Sequence, residues 1–313
     1  MTDTGLRAGT VTADERAAAE LRRGTLYAAA AYTMWGLYPL YWPLLMPAGP
    51  TEILAHRVIW SLVVVAAILA LRRHGWSWAA ELVRQPGKLL LLALAAMIIS
   101  VNWGTYIYAV NTGQVVEGAL GYYINPLVSV AFGVVLLKER LRRAQWAAVG
   151  LGTVAVILLA IDHGRLPWIA LCLAFSFAFY ALVKKRAMVG AVESMAVETL
   201  ILFLPALAYA FFLHQQGTAT FGLHGAAHAV LLAGAGLVTA APLLAFTAGA
   251  IRVPMSTLGI LQYIAPTLQF LYGVLISGEA MSANRWLGFS IVWLALVVFT
   301  ADSLRHTRAQ RMS

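Results

Sequence analysis

The chain has 313 residues, 61% of them hydrophobic and 11% charged, with a mean hydropathy of +0.78 and a net charge of +9. A soluble domain carries about a quarter charged residues, so the composition excludes one and places the chain in a membrane. The positive charge does not signal nucleic acid: the cations sit in short loops and tails between apolar runs, where they set orientation and meet anionic lipid headgroups.

Residues 1–24, rich in Ala, Thr and charge, read as a disordered N-terminal tail. Arg22-Arg23 then precedes an apolar run too long for a signal-peptide core, and no A-x-A-type cleavage site follows, so it is an uncleaved first span. Crossing the hydrocarbon core takes roughly 20 residues. Ten runs qualify, near Leu26–Met46, Ile53–Leu71, Leu89–Val110, Ala119–Leu137, Ala144–Ile161, Pro167–Val183, Val197–Leu213, Ala226–Ala250, Met255–Ser277 and Trp286–Ala301. They are continuous rather than alternating, hence helices in an all-α polytopic membrane protein. A polar turn at Asp162–Leu166 divides the chain into 25–161 and 166–302, with 303–313 as a C-terminal tail.

Charge sidedness supports ten spans. Nineteen of the 22 Lys and Arg residues fall in the tails and even-numbered loops, and only Arg57, Arg165 and Arg285 fall on the other side. This bias places both termini in the cytoplasm. Five spans per half then invert the second half. A gapless internal match agrees: Tyr123, Ile124, Pro126, Gly133, Val134, Glu139 and Trp146 recur 140 residues later as Tyr263, Ile264, Pro266, Gly273, Val274, Glu279 and Trp286. The first copy ends in Lys138–Arg143, rich in cations, whereas the second has none until Arg285. An inverted repeat in an apolar chain is a mark of transporters, because exchanging the conformations of mirrored halves moves the opening across the membrane.

Polar residues within spans are costly and face a cavity or another helix. On the first span Trp35 and Tyr38 share a face with Trp42, which an interfacial aromatic belt explains equally well. The second span opens with Glu52 and His56 at i, i+4, followed by Arg57; in a 141-residue register Glu52 matches Glu193 and Arg57 matches Glu198. Arg57 is the candidate anchor for an anionic or zwitterionic group, its own partner being a water-filled vestibule or Glu117. His56 is the candidate carrier of a coupling proton. Asn102 and Tyr106 follow on the third span. Tyr122, Asn125 and Ser129 line one face of the fourth, and Gln262 and Gln269 stand at the equivalents of Tyr122 and Ser129 on the ninth. The competing reading of these groups is interhelical hydrogen bonding that holds the bundle together. Pro39, Pro126 and Pro266 are expected to break their helices and free carbonyls. Lone Cys172 lies in an apolar run, so neither a disulfide framework nor a metal site is expected, and no Walker or H-E-x-x-H sequence implies a cofactor.

The runs YTMWGLYPLYW, EILAHRVIWS, NWGTYIYAVNTGQVVEGALGYYINPLVSV, LKERLRRAQW and STLGILQYIAPTLQFLYGV resemble the RarD subfamily of EamA-type transporters in the drug/metabolite transporter superfamily. The resemblance covers residues 25–302 and implies two five-helix EamA repeats in the inner membrane, with Trp35, Glu52, His56, Arg57, Asn102, Tyr122, Asn125, Gln262 and Tyr263 among the motif positions. The chain lacks the acidic residue that related small multidrug pumps keep midway along their first span, which argues against polycation export. The expectation is a secondary transporter, exporting a small polar or amphipathic solute by alternating access, with protons as the candidate coupling ion. Two alternatives stay open: an intramembrane enzyme acting on a lipid headgroup through Glu52, His56 and Arg57, and a non-transporting membrane partner or sensor. The sequence does not decide oligomeric state.

Overall fold

The computed structural model describes residues 13–71, 77–137, 143–163, 166–250, 252–253 and 261–312, and among them every regular element is helical. In chain order these are α1 (Ala13–Gly36), α2 (Tyr38–Tyr41) with a 3-10 turn Trp42–Leu45, α3 (Pro50–Leu71), α4 (Ser77–Val83), α5 (Pro86–Asn111) and α6 (Val115–Leu137). After them come α7 (Arg143–His163), α8 (Trp168–Ala187), α9 (Ala191–Gln215), α10 (Gly225–Ala250), α11 (Ile264–Leu271) with a π turn Tyr272–Ile276, and α12 (Ala283–Met312). Among the described residues five helices are long and apolar enough to cross a bilayer: α3, α5, α9, α10 and α12. Shorter apolar stretches lie in α7, α8 and the α11 region. Large apolar side chains point outward, Leu90 at 72% exposure and Leu204 at 70%. Water would make that unfavourable, whereas lipid is as apolar as Leu.

Two expectations change. The tail is not disordered through residue 24, because α1 is helical from Ala13. Its Ala-rich sequence favours helix, Glu20 and Arg23 pair at i, i+3, and Glu20 also accepts from Arg252 Nε at 3.0 Å. Pro126 does not break α6, which is helical on both sides of it. Pro266 accompanies a break: Leu261 is helical, Gln262 and Tyr263 form a turn, and α11 starts at Ile264 with Pro266 in its first turn. Pro39 does accompany a break: α1 stops at Gly36 and α2 starts at Tyr38.

Helices from before and after residues 162–166 interleave. α1 lies on α10 and α8 on α5; α3 lies on α10 and α9 on α5; α6 lies on α8 and α1 on α11. Each of these pairings recurs with the two halves exchanged, while α3 with α9, α6 with α11 and α7 with α12 pair directly. One core joins α6, α7 and α12 through Leu127, Leu159, Phe289 and Val292. A second joins α2, α3, α5, α8 and α10 through Trp42, Ile53, Tyr106, Leu173 and Leu232. The second holds the site described below.

Without a hydrophobic force between helices in lipid, small residues set how closely backbones approach. On α10 a Cβ at Gly236 would lie 2.3 Å from the Trp60 carbonyl carbon of α3. Gly236→Val should therefore separate the two helices and cost about 2–3 kcal/mol, read as a lowered thermal midpoint in detergent. Gly150→Ala, where an added Cβ meets nothing within 4 Å, should be neutral or slightly stabilising.

Candidate functional site

Arg57 stands seven residues into α3, about 10 Å along its axis, and is 3% exposed. Its Nε donates to Thr239 Oγ1 of α10 at 2.8 Å. Its Cζ lies 4.0 Å from the Trp103 ring centroid, 5.2 Å from Trp42 and 5.6 Å from Tyr38. No carboxylate among the described residues forms a salt bridge with it. Burying a lone charge costs several kcal/mol. Desolvated cation–π contacts at about 2 kcal/mol each, with a charged hydrogen bond of roughly 1.5–3 kcal/mol, offset a cost of that size. They leave the Nη fork, the part of a guanidinium that grips a carboxylate in two places, without a protein acceptor among the described residues.

The cage extends through a row of tyrosines tilted against one another. Tyr38 and Tyr106 lie 6.5 Å apart, and Tyr106 and Tyr122 lie 5.5 Å apart. The Tyr106 hydroxyl is buried without a partner. Tyr122 donates to Asn102 Oδ1 at 3.4 Å, and Asn102 Nδ2 donates to Leu173 O and Ser176 Oγ of α8 at 3.0 and 2.9 Å. Asn102 is thus a brace for the tyrosine wall.

Two carbonyls freed by proline tie this wall across the halves. Pro39 has no N–H for the Trp35 carbonyl four residues earlier, and Gln269 Nε2 of α11 supplies the donor instead at 3.1 Å. Pro242 inside α10 likewise frees the Val238 carbonyl, which accepts from the Tyr38 hydroxyl at 3.0 Å. Both carbonyls accept side chains of the opposite half.

Other sequence-predicted residues lie outside the cage. Glu52 Oε1 accepts the backbone N–H groups of Thr220 and Phe221 at 2.7 and 3.3 Å. His56 stacks on Phe221 with ring centroids 4.6 Å apart. Glu117 does not pair with Arg57, because its Oε1 accepts the Ile169 N–H at the start of α8 at 2.9 Å, where a carboxylate meets the positive end of the helix. Glu198 is held by Lys184 at 2.6 Å, Ser194 at 2.6 Å and Tyr180 at 3.0 Å, which accounts for its burial without a ligand. Tyr263 packs against the α6–α7–α12 core, and Gln262 is half-buried in the turn before α11. Asn125 and Gln269 are buried, each with an unpartnered side-chain oxygen. The Ser129 side chain lies outside the described residues.

Trp103 and Thr239 were not singled out from the sequence. Trp103 is three residues before Tyr106 on the same helical face, and Thr239 is a hydroxyl within an apolar run, signals that point to this site only once α3, α5 and α10 are seen to converge. A cavity of about 220 Å³ lies elsewhere, lined by Glu117, Glu279, Arg285 and Phe289. There Glu279 accepts from Val115 N at 2.6 Å and Val116 N at 3.1 Å, and burial holds its carboxyl above its ordinary range despite those donors.

Tyr38→Phe should strand the Val238 carbonyl and cost about 1–2 kcal/mol in thermal unfolding. Pro242→Ala restores an N–H for that carbonyl, so in the double variant the penalty for losing the hydroxyl should shrink, giving a favourable coupling in a double-mutant cycle. Strict additivity would show that the hydroxyl does not serve the proline-freed carbonyl.

Comparison with known proteins is consistent across the chain. Residues 22–161 match the EamA-like transporter family. Protein RarD of Streptomyces exfoliatus is 61% identical over 293 residues, covering 93% of this chain and 92% of its own. Protein RarD of Escherichia coli (strain K12) is 43% identical over 93% of this chain and 98% of its own. The uncharacterized transporter YojE of Bacillus subtilis (strain 168) is 43% identical over 94% and 98% respectively. A solved crystal structure of 21% identity superposes with a TM-score of 0.59 over 88% of this chain and 96% of that one, a likeness of fold alone. With helices that are long and apolar enough to span a bilayer and relatives named as transporters, the chain belongs to the RarD subfamily of EamA-type membrane transporters within the drug/metabolite transporter superfamily.

Proposed function

We propose that the protein is a secondary exporter of a small polar or amphipathic solute carrying a negative charge, working by alternating access between two inverted five-helix repeats, residues 25–161 and 166–302. The observation that carries this reading is Arg57: a buried guanidinium with no carboxylate partner among the described residues, enclosed by aromatic rings at the junction of α3 and α10. An intramembrane charge without a structural counter-ion is a functional site by default. The recurrence of helix pairings with halves exchanged is what a twofold-related repeat requires. Protons remain the candidate coupling ion, and the termini are assigned to the cytoplasm of a bacterial inner membrane.

The enzyme alternative needs a nucleophile or base beside an acid at one interface. Glu52 and His56 share a face of α3, but the first is occupied by the Thr220 and Phe221 N–H groups and the second by the Phe221 ring, while Arg57 lies in the aromatic cage. A sensor would have no need for an unpaired guanidinium in a cage shared by both halves.

Reconstitution in liposomes with labelled solutes, with and without a pH gradient, tests the reading directly. Arg57→Lys keeps the charge but loses the bidentate fork, and should lower transport about tenfold or more while membrane insertion stays normal. Unimpaired transport by Arg57→Gln at normal protein levels would sink the assignment. Topology is checked separately. Reporter fusions after Arg186 and after Arg311 should both report the cytoplasm, and a periplasmic signal from either contradicts ten spans.

A further inference from the structure

The segment between α9 and α10, residues 216–224, dips back into the protein. Gln216–Thr218 and Gly222–His224 are exposed, but Ala219 and Thr220 are buried and Phe221 is half-buried. Gly217, Gly222 and Gly225 adopt φ of +66°, +79° and +88°, conformations that side chains rarely allow, so the dip is flanked by glycine hinges. The Thr218 and Ala219 N–H groups donate to Leu213 O of α9 at 3.0 and 3.1 Å, and two attachments hold the segment to α3. The Glu52 carboxylate takes the N–H groups of Thr220 and Phe221, and the Phe221 ring lies flat on His56 at 4.6 Å, with Trp60 at 6.2 Å.

This aromatic plug packs against the second apolar core, yet several polar atoms are left over beside it. His56 Nδ1, Trp60 Nε1, Thr220 Oγ1 and His228 Nδ1 are all buried without a hydrogen-bond partner. His228 Nε2 meets the Leu45 carbonyl at 2.9 Å. Trp42 Nε1 is a further unpartnered donor, and its ring borders Arg57. A seam that served packing alone would be apolar, since each stranded group costs about 1–3 kcal/mol. On α3, His56 and Trp60 stand at i, i+4 with Arg57 beside them, so the polar stripe runs from under the dipping segment to the cage.

We propose that residues 216–224 form a hinged lid over an exit path leading from the Arg57 cage, with Phe221 as its plug and Glu52 as its fastening. The lid rests on the transporter reading for its role and for its position on the outer face. The indole N–H donors along the path suit a solute that offers hydrogen-bond acceptors, carboxylate oxygens among them. Lifting the segment about its glycines withdraws Phe221, uncovers His56 and Trp60, and releases the two N–H groups from Glu52.

The test uses the full chain in nanodiscs, where both faces are open to reagent and transport is not required. In a Cys172→Ala background, Ser61→Cys places a thiol at a fully buried position on α3. A sulfonated methanethiosulfonate reagent should label it slowly. Phe221→Ala and Glu52→Gln should each accelerate labelling about tenfold or more, the factor that a lost charge-assisted hydrogen bond or stacked ring removes from closure. Native Cys172, followed in the same two variants without the other substitutions, should keep its labelling rate. Hydrogen exchange at the Thr220 and Phe221 amides should also quicken in Glu52→Gln. Unchanged labelling at position 61 in both variants, equal acceleration at Cys172, or unaltered exchange at those amides would overturn the lid. Lid opening without transport in liposomes would instead refute the transporter reading alone.

Discussion

Inside a bilayer every backbone and side-chain polar group has to find its partner within the protein, and in this chain prolines decide where that demand falls. Each intrahelical proline releases a carbonyl that water cannot satisfy. At Trp35 and Val238 the released carbonyls are met from the opposite half, by Gln269 and by Tyr38. The hydrogen-bond rule of the membrane thereby becomes a tie between halves. It also orients Tyr38, whose ring then faces the Arg57 guanidinium at 5.6 Å.

Carboxylates hold the ends of the bundle by the same logic. Glu52 takes Thr220 and Phe221 in the loop between α9 and α10; at helix starts, Glu117 takes the Ile169 N–H of α8, and Glu279 takes Val115 and Val116 of α6. Helix N-termini offer unsatisfied N–H groups and a partial positive charge, and a carboxylate answers both. Glu198 differs, being tied by Lys184. With so many acidic groups already engaged, Arg57 stands apart as a buried cation that the described carboxylates do not neutralise. That is what a transporter of a charged solute needs, because a counter-ion in the protein would compete with the solute for the same fork.

Tight backbone contact along α3 and α10 brings these features together. Gly236 lets α10 approach Trp60, and this closeness brings Thr239 within 2.8 Å of Arg57. A bundle with a wider α3–α10 spacing would keep its helices and lose its cage. The site is thus a property of one interhelical distance as much as of its residues.

Much of the architecture was legible in the residues themselves. Run length, continuous apolarity and the one-sided distribution of cations are local or additive signals, so helices could be located where α3, α5, α9, α10 and α12 are found. Arg57 stood out because it violates that sidedness, and Pro39 because proline acts on its own backbone. The ends of elements were less legible: helix propensity in residues 13–24 outweighed their polar composition, and Pro126 proved compatible with a continuous helix. Partners were not legible at all. Glu52, Glu117 and Glu198 looked alike as acids near spans, yet they engage a loop, a helix start and a lysine, and Trp103 and Thr239 join Arg57 from helices far away in sequence. Side-chain pairing depends on which faces meet across the bundle, and an apolar run in lipid carries almost no directional pattern to say so. The sequence by itself determined that the chain is helical, membrane-embedded and related to transporters; only the tertiary structure decided which polar groups are spent on holding it together and which keep no partner among the described residues, because pairing depends on which helix faces meet.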